Sequence, residues 1–241
     1  MAFSRFSYLL TLVLLLPTVF AKTDPLFYSC SRTENFTVSS SYAKSLHKLI
    51  ENIKYLAPAK GFALGSLGQT SQDRPYGLTL CRGDISASDC LTCIAEASNE
   101  IRTRCPNNKQ ATIWYDNCLI KYSNINFFGQ IDEQNKFYLL NVQNVSDPAS
   151  FNANVKDLLS KLAENASVSP RMFAAGDMEI EGSKKVYGLA QCSRDLSSGD
   201  CQKCIDSAIS ELPSCCDGKK GGRVVGGSCT VRYEIYPFVN A

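Results

Sequence analysis

Two stretches of the chain carry apolar residues at helical spacing. In each stretch the apolar positions recur three or four residues apart, which places them on one face of a helix. The first stretch contains Tyr42, Leu46, Leu49, Ile50, Ile53 and Leu56, and the second contains Phe151, Val155, Leu158, Leu159 and Leu162. The pattern predicts two amphipathic helices that pack their apolar faces against a core.

A second pair of helices is predicted from start signals. Ser86 is followed three residues later by Asp89, and Ser197 by Asp200, which fits a reciprocal capping arrangement at a helix N-terminus. Beyond each cap, apolar residues continue at helical spacing: Cys90, Ile94, Ala97 and Ile101 in one case, and Cys201, Ile205, Ala208 and Leu212 in the other.

Shorter apolar stretches predict strands. They are Leu26–Cys30, Tyr76–Cys81, Thr112–Tyr122 and Phe137–Leu140, followed by an alternating stretch from Cys229 to Tyr236 that is typical of a half-buried strand. Glycines between Gly218 and Gly227 predict a hairpin with bulges before that last strand. Glu179 and Glu181 are assigned to a solvated loop. Each half is therefore expected to be α+β, with two helices packed on one face of an antiparallel sheet.

The cysteines show that the two halves are copies of one unit. Five cysteines recur at a constant displacement of 111 residues: Cys81, Cys90, Cys93, Cys105 and Cys118 match Cys192, Cys201, Cys204, Cys216 and Cys229. Five matches at one displacement indicate an internal duplication. We predict a first domain at residues 22–127, a linker at 128–136 and a second domain at 137–241.

The first 21 residues have the composition of a secretory signal peptide. An apolar run from Leu9 to Leu16 follows Arg5 and ends at Pro17, and Ala21 fits a cleavage site. The run is too short to span a membrane, which needs about 20 apolar residues, and the C-terminus lacks a lipid-anchor signal. Twelve cysteines suit an oxidising compartment. The prediction is a protein secreted to the apoplast with no membrane span.

Charge and sequons refine this expectation. Lys and Arg number 25 against 23 Asp and Glu, and they form no basic stripe, so nucleic acid is not an expected partner. Three N-glycosylation sequons begin at Asn35, Asn144 and Asn165. If they are used, these side chains must face solvent.

The two C-x-x-C motifs, Cys90 to Cys93 and Cys201 to Cys204, have three interpretations: a zinc site, thiol–disulfide exchange or a structural disulfide framework. Secretion and the even cysteine count favour the framework. The only histidine, His47, lies on a predicted helix and has no counterpart in the second copy. We therefore expect no catalytic site, no metal and no cofactor.

Spacing alone does not fix which cysteines pair, because six cysteines allow fifteen pairings. At the 111-residue displacement Cys30 falls on Asn141, so the second copy lacks the early cysteine, and it carries an additional Cys215 beside Cys216. A Cys215–Cys216 link is one hypothesis, and an intermolecular disulfide is the other.

The C-x8-C-x2-C spacing at Cys81-Cys90-Cys93 and Cys192-Cys201-Cys204 resembles the plant ginkbilobin-homologous, or stress-antifungal, domain. A tandem pair behind a signal peptide is similar to the plant cysteine-rich repeat secretory proteins. The resemblance implies a five-stranded antiparallel sheet with two helices in each domain. It also implies the disulfides Cys30–Cys105, Cys81–Cys90, Cys93–Cys118, Cys192–Cys201 and Cys204–Cys229.

The resemblance further implies a lectin-like site for mannose, built from an Asn, an Arg and a Glu. The first domain has Ser31, Thr112 and Ser123 at these positions. In the second domain Arg223 and Glu234 match, whereas the Asn position falls on Val142, with Asn141 one residue earlier. A surface ion pair between Arg223 and Glu234 that stabilises the hairpin is the alternative explanation of these two residues.

Two functions follow as hypotheses. One is an extracellular binding protein of plant defence or stress that recognises mannose-type glycans through its second domain. The other is a protein–protein interaction module that pairs with related receptor ectodomains or with itself and binds no sugar.

Overall fold

The computed structural model describes residues 24–31, 34–180 and 184–240, so the predicted signal peptide lies outside the described residues. The first domain contains β1 (Phe27–Cys30), α1 (Ser41–Lys60), β2 (Phe62–Ser66), β3 (Tyr76–Cys81), α2 (Ala87–Arg104), β4 (Ala111–Trp114) and β5 (Cys118–Ser123). A short 3-10 helix, Ser71–Asp73, precedes β3. The strands form one antiparallel sheet in the order β1-β4-β5-β3-β2.

The second domain repeats this arrangement. It contains β6 (Lys136–Leu140), α3 (Pro148–Val168), β7 (Phe173–Ile180), β8 (Lys184–Cys192), α4 (Ser198–Cys216), β9 (Gly221–Gly226) and β10 (Cys229–Glu234). Its sheet has the order β6-β9-β10-β8-β7, which is the order of the first sheet shifted by five strands. The predicted α+β fold of two tandem domains, each with a five-stranded antiparallel sheet and two helices, is confirmed.

The helices begin where the capping signals predict. Ser86 Oγ accepts a hydrogen bond from the Asp89 N–H at 3.1 Å, and Ser197 Oγ accepts one from the Asp200 N–H at 3.1 Å. Their apolar faces lie in two separate hydrophobic cores, one per domain. One position on α1 differs from the prediction, because Leu56 is exposed and Ala57 is buried in its place. Ala57 lies four residues after Ile53 and so continues the buried stripe.

The strand predictions were incomplete. The stretch 112–122 is two strands, β4 and β5, separated by a turn at Asp116 and Asn117. The edge strands β2 and β7 and the inner strand β8 were missed. Glu179 lies in β7 rather than in a loop, and Glu181 lies outside the described residues. The two missed edge strands contain Gly and small residues, which carry little strand propensity. Each is held by pairing with the strand that follows it in the sequence, β2 with β3 and β7 with β8, and the composition of the edge strand does not reveal that pairing.

The twelve cysteines form six disulfides. Five are the pairs that the resemblance implies: Cys30–Cys105, Cys81–Cys90, Cys93–Cys118, Cys192–Cys201 and Cys204–Cys229. The sixth joins the neighbours Cys215 and Cys216. The two cysteines of each C-x-x-C motif pair with different strands, so the motif fastens a helix to the sheet and holds no exchangeable disulfide of its own.

The two domains contact each other through the sheet faces that the helices leave uncovered. Leu80 and Trp114 of the first domain and Leu189 and Val225 of the second line one small cavity between the sheets. The Trp114 indole N–H donates to Gly226 O at 3.0 Å, and Gln191 Nε2 donates to Cys81 O at 2.9 Å. In the described part of the chain, no helix is both long and apolar enough to cross a membrane.

Candidate functional site

Strand register corrects which residue occupies the Asn position of the implied mannose site. In the first domain Cys30 lies opposite Ala111, whereas in the second Leu140 lies opposite Gly222. Since Ala111 and Gly222 correspond, Cys30 corresponds to Leu140 and not to Asn141. The second domain has one more residue between these strands, so the constant displacement fails there. The residue after the early cysteine therefore corresponds to Asn141, and the expectation at Val142 was wrong.

Asn141, Arg223 and Glu234 lie together on one face of the second sheet. The Asn141 backbone N–H donates to Gly221 O at 2.9 Å, and Gly221 lies opposite Glu234. Arg223 is two residues further along β9, on the same face as Gly221. The three side chains line a cleft of about 270 Å³ at the boundary with the first domain. The other lining residues are Leu26, Asp116, Leu139, Leu140, Gly222, Arg232 and Tyr236.

Glu234 contributes a buried carboxylate with one unused oxygen. Its side chain lies over Gly221, where a Cβ atom would overlap Oε2, so the absence of a side chain at this position makes room for the carboxylate. Oε1 accepts a hydrogen bond from Arg232 at 3.1 Å. Oε2 is buried and has no hydrogen-bond partner among the described residues. An acceptor in this state is expected to be satisfied by a ligand or by water.

Arg223 is held by the first domain. Its Nη2 atom lies 2.6 Å from Asp116 Oδ1, and only 12% of its side chain is exposed. Burial and the nearby Arg232 lower the pKa of Arg223, while Asp116 opposes that shift. Burial raises the pKa of Asp116, but Arg223, Arg232 and Arg82 together outweigh it and keep that pKa below its ordinary value. The ion pair between Arg223 and Glu234 that was the alternative explanation of these residues is not formed: Arg223 pairs with Asp116, and Glu234 with Arg232.

Asn141 is the third candidate residue of the cleft and contributes hydrogen-bond donors. Its Oδ1 atom accepts from the Gln143 backbone N–H at 2.9 Å, which leaves the side-chain N–H groups as the donors for a ligand. The cleft therefore offers amide and guanidinium donors and a carboxylate acceptor within one wall, a combination that suits hydroxyl groups.

The equivalent region of the first domain is filled by the chain itself. Thr112 and Ser123 are buried, and Lys121, the counterpart of Arg232, pairs with Asp132 of the connecting segment at 2.5 Å. Phe127 lies beside the Lys121 ammonium, as Phe238 lies beside Arg232. Short uncharged side chains and a covering segment leave the first domain without the second domain's charged cleft.

The remaining predicted residues lie away from the cleft. Asn35, Asn144 and Asn165 are exposed, as glycosylated residues must be. His47 is exposed on α1. Within the described residues, His, Cys, Asp and Glu form no group of three or more that could hold a metal ion.

Sequence reasoning missed two charged residues of the cleft, Arg232 and Asp116, and the role of Gly221 beneath the Glu234 carboxylate. Arg232 and Gly221 lie on strands that were expected only to build the hairpin. Asp116 comes from the other domain, and nothing local in the sequence marks it as a neighbour of Arg223.

Fold and cysteine pattern define the class: a tandem α+β protein of two disulfide-fastened domains. A family model described as salt stress response/antifungal matches residues 29–125 and 140–236. The chain belongs to this family of plant cysteine-rich repeat proteins, and it is a secreted protein related to stress or defence.

Two relatives cover nearly the whole chain. An antimicrobial ginkbilobin-2-like protein of Castanea crenata is 58% identical over 90% of this chain and 90% of its own length. Cysteine-rich repeat secretory protein 38 of Arabidopsis thaliana is 54% identical over 89% of this chain and 85% of its own length.

A solved structure supports the fold. The tandem DUF26 ectodomain of the Arabidopsis thaliana cysteine-rich receptor-like protein PDLP8 matches with a TM-score of 0.79 at 23% identity, and it covers 88% of this chain and 98% of the ectodomain. The tandem DUF26 ectodomain of PDLP5, another Arabidopsis thaliana cysteine-rich receptor-like protein, matches with a TM-score of 0.74 at 26% identity, and it covers 89% of this chain and 100% of the ectodomain.

Proposed function

We propose that this protein is a non-catalytic extracellular binding protein that recognises neutral, mannose-type sugars through the cleft of its second domain. The observation that carries the proposal is Glu234 Oε2, a buried acceptor without a hydrogen-bond partner among the described residues. It lies in a cleft shared with Asn141 and Arg223. A sugar hydroxyl supplies the missing donor.

The chemistry of the cleft supports a neutral polyol. A hydroxyl group donates and accepts at once, so adjacent hydroxyls of one sugar ring can donate to Glu234 and accept from Asn141. Charge-assisted hydrogen bonds of this kind are stronger than neutral ones. Leu139, Leu140 and Tyr236 add apolar surface for the C–H faces of a ring.

Calorimetric titration with methyl α-mannoside, together with a glycan array, tests the proposal on the mature secreted protein. Glu234→Gln and Arg223→Ala should each weaken binding about 10- to 100-fold, since a hydrogen bond to a charged group contributes about 1.5–3 kcal/mol. Ser31→Ala changes the first-domain counterpart of Asn141 and should leave the affinity unchanged. No sugar binding, or equal binding by wild type and Arg223→Ala, contradicts the proposal.

Self-association, or pairing with a related ectodomain, is the second candidate function. The edge strands β1 and β6 expose Phe27, Tyr28, Tyr138 and Leu140, each at 40–47%, and Phe27 contacts Phe137 across the two domains at a ring-centroid distance of 5.0 Å. Exposed apolar edge strands favour pairing with another sheet. Light scattering of wild type and Leu140→Glu tests this: a dimer that the variant loses supports it, and a monomeric wild type up to millimolar concentration contradicts self-association.

A further inference from the structure

The turn between β4 and β5 of the first domain reaches into the second domain's cleft. Asp116 in this turn places Oδ1 2.6 Å from Arg223 Nη2 and 3.7 Å from Arg232 Nη1. More than half of the Asp116 side chain is exposed, whereas both guanidinium groups are largely buried. The carboxylate thus lies at the mouth of the cleft, between solvent and the arginines.

Asp116 changes the charge that a ligand meets. Without it, the cleft would contain two arginines and the single carboxylate of Glu234, a net positive site that attracts anions. With it, the two positive charges are matched by two negative ones. Both carboxylates accept hydrogen bonds and repel a further carboxylate, so a ligand with hydroxyl donors is favoured and an anionic one is not.

We propose that Asp116 is a specificity-determining residue of the sugar site, contributed by the first domain, that selects neutral sugars against acidic ones such as uronic acids. This inference rests on the proposed sugar binding at Asn141, Arg223 and Glu234. The carboxylate of a uronic acid would have to displace Asp116 from Arg223 and then lie near Glu234, whereas a neutral hexose can donate a hydroxyl to Asp116 while that pair stays intact.

If Asp116 sets the specificity, both domains of the tandem pair contribute to ligand binding. The first domain has Ser31, Thr112 and Ser123 where the second has its charged cleft, yet its turn forms part of the wall of that cleft. Specificity then depends on the fixed contact between the domains, which Trp114, two residues before Asp116, maintains through its bond to Gly226.

The test compares the affinities for methyl α-mannoside and for galacturonic acid, by calorimetry at one ionic strength. Asp116→Asn removes the charge and keeps the size, and Asn suits a turn. The ratio of mannoside to uronate affinity should fall at least about tenfold, because one unit charge a few Å from the ligand is removed. Asp116→Ser, which also suits a turn, should show the same direction.

Asp177→Asn is the matched control. Asp177 forms an exposed ion pair with Lys185 at 2.8 Å on β7 and β8 and does not line the cleft, so the same loss of charge should leave the ratio unchanged. Thermal unfolding of each variant checks that the fold persists.

The outcomes separate the two claims. If wild type binds the mannoside and Asp116→Asn keeps the wild-type ratio, the role of Asp116 is overturned while the sugar site stands. If wild type binds no neutral sugar, the proposed function and this inference fall together. A uronate preference that appears in Asp116→Asn and not in Asp177→Asn supports the inference.

Discussion

The ion pair between Lys121 and Asp132 offers a quantitative test of how the connecting segment is held. Lys121 Nζ lies 2.5 Å from Asp132 Oδ2, and the two side chains are only 10% and 8% exposed. Asp132 also accepts hydrogen bonds from the Asn135 backbone N–H at 3.0 Å and from its side-chain amide at 2.9 Å. Burial raises the pKa of Asp132, but Lys121 and these hydrogen bonds outweigh it and hold that pKa below its ordinary value.

Lys121→Met keeps the length of the side chain and removes its charge. The buried Asp132 carboxylate then loses its partner, and breaking a buried pair in this way costs about 3–5 kcal/mol in the free energy of unfolding. The double variant Lys121→Met with Asp132→Asn removes both charges and keeps one oxygen that can accept from the Asn135 backbone N–H. It should recover most of the lost stability, because no uncompensated charge remains.

Urea unfolding at pH 7 with intact disulfides measures the effect. Trp114 is the only tryptophan and is buried between the domains, so its fluorescence reports on that contact. The urea midpoint of Lys121→Met should fall by at least about 1 M, given a loss of about 3–5 kcal/mol and a slope of about 1–3 kcal/mol per molar. Lys203→Met, which removes an exposed pair with Asp200, is the control and should change stability by less than about 0.5 kcal/mol.

Two results would refute this reasoning. Lys121→Met could unfold at the same urea concentration as Lys203→Met, which would show that the buried pair is no more important than an exposed one. Alternatively, the double variant could be as unstable as Lys121→Met, which would show that lost packing of the lysine side chain, rather than the unpaired carboxylate, causes the destabilisation.

Three further predictions concern the cleft and the domain contact. Gly221→Ala should displace the Glu234 carboxylate and weaken sugar binding, measured by titration, at least about tenfold. Thermal stability should change little, because the displaced atoms are at the end of a flexible side chain. Unchanged affinity would contradict the placement of Glu234. The pKa of Asp116 is depressed, so the folded chain binds fewer protons there than the unfolded chain. Stability from its ion pair is therefore present above pH 3.8 and lost as the pH falls further, and Asp116→Asn should flatten this part of a pH–stability profile. Trp114→Phe leaves Gly226 O without its indole donor and should cost about 1–3 kcal/mol in thermal or urea unfolding monitored by circular dichroism; a loss below about 0.5 kcal/mol would show that the hydrogen bond is dispensable.

Much of the fold was predictable because its signals are local or periodic. The capping residues Ser86 and Ser197 mark helix starts through bonds to residues three positions away, and the stripe through Ile50 and Ile53 identifies a buried face. The edge strands β2 and β7 were missed because they contain Gly and small residues, and pairing with the next strand along the chain, rather than their own propensity, holds them in the sheet.

The candidate site was only partly predictable. Arg223 and Glu234 were found by the position of their motif. The alternative explanation, an ion pair between the two, does not describe the structure, because Arg223 pairs with Asp116 across the domains and Glu234 with Arg232 on the same strand. Only strand register shows that Asn141 corresponds to the residue after Cys30. The second domain has one additional residue between these two strands, so a constant displacement of 111 residues misplaces this position by one.

The sequence by itself determined that the chain is a duplicated α+β domain with a cysteine framework, since repeats, caps and apolar periodicity are properties of neighbouring residues. The tertiary structure alone decided that the two domains build one cleft. Asp116 and Arg223 are more than a hundred residues apart, and no local pattern couples them. Only the packing of one sheet against the other brings this carboxylate to this guanidinium.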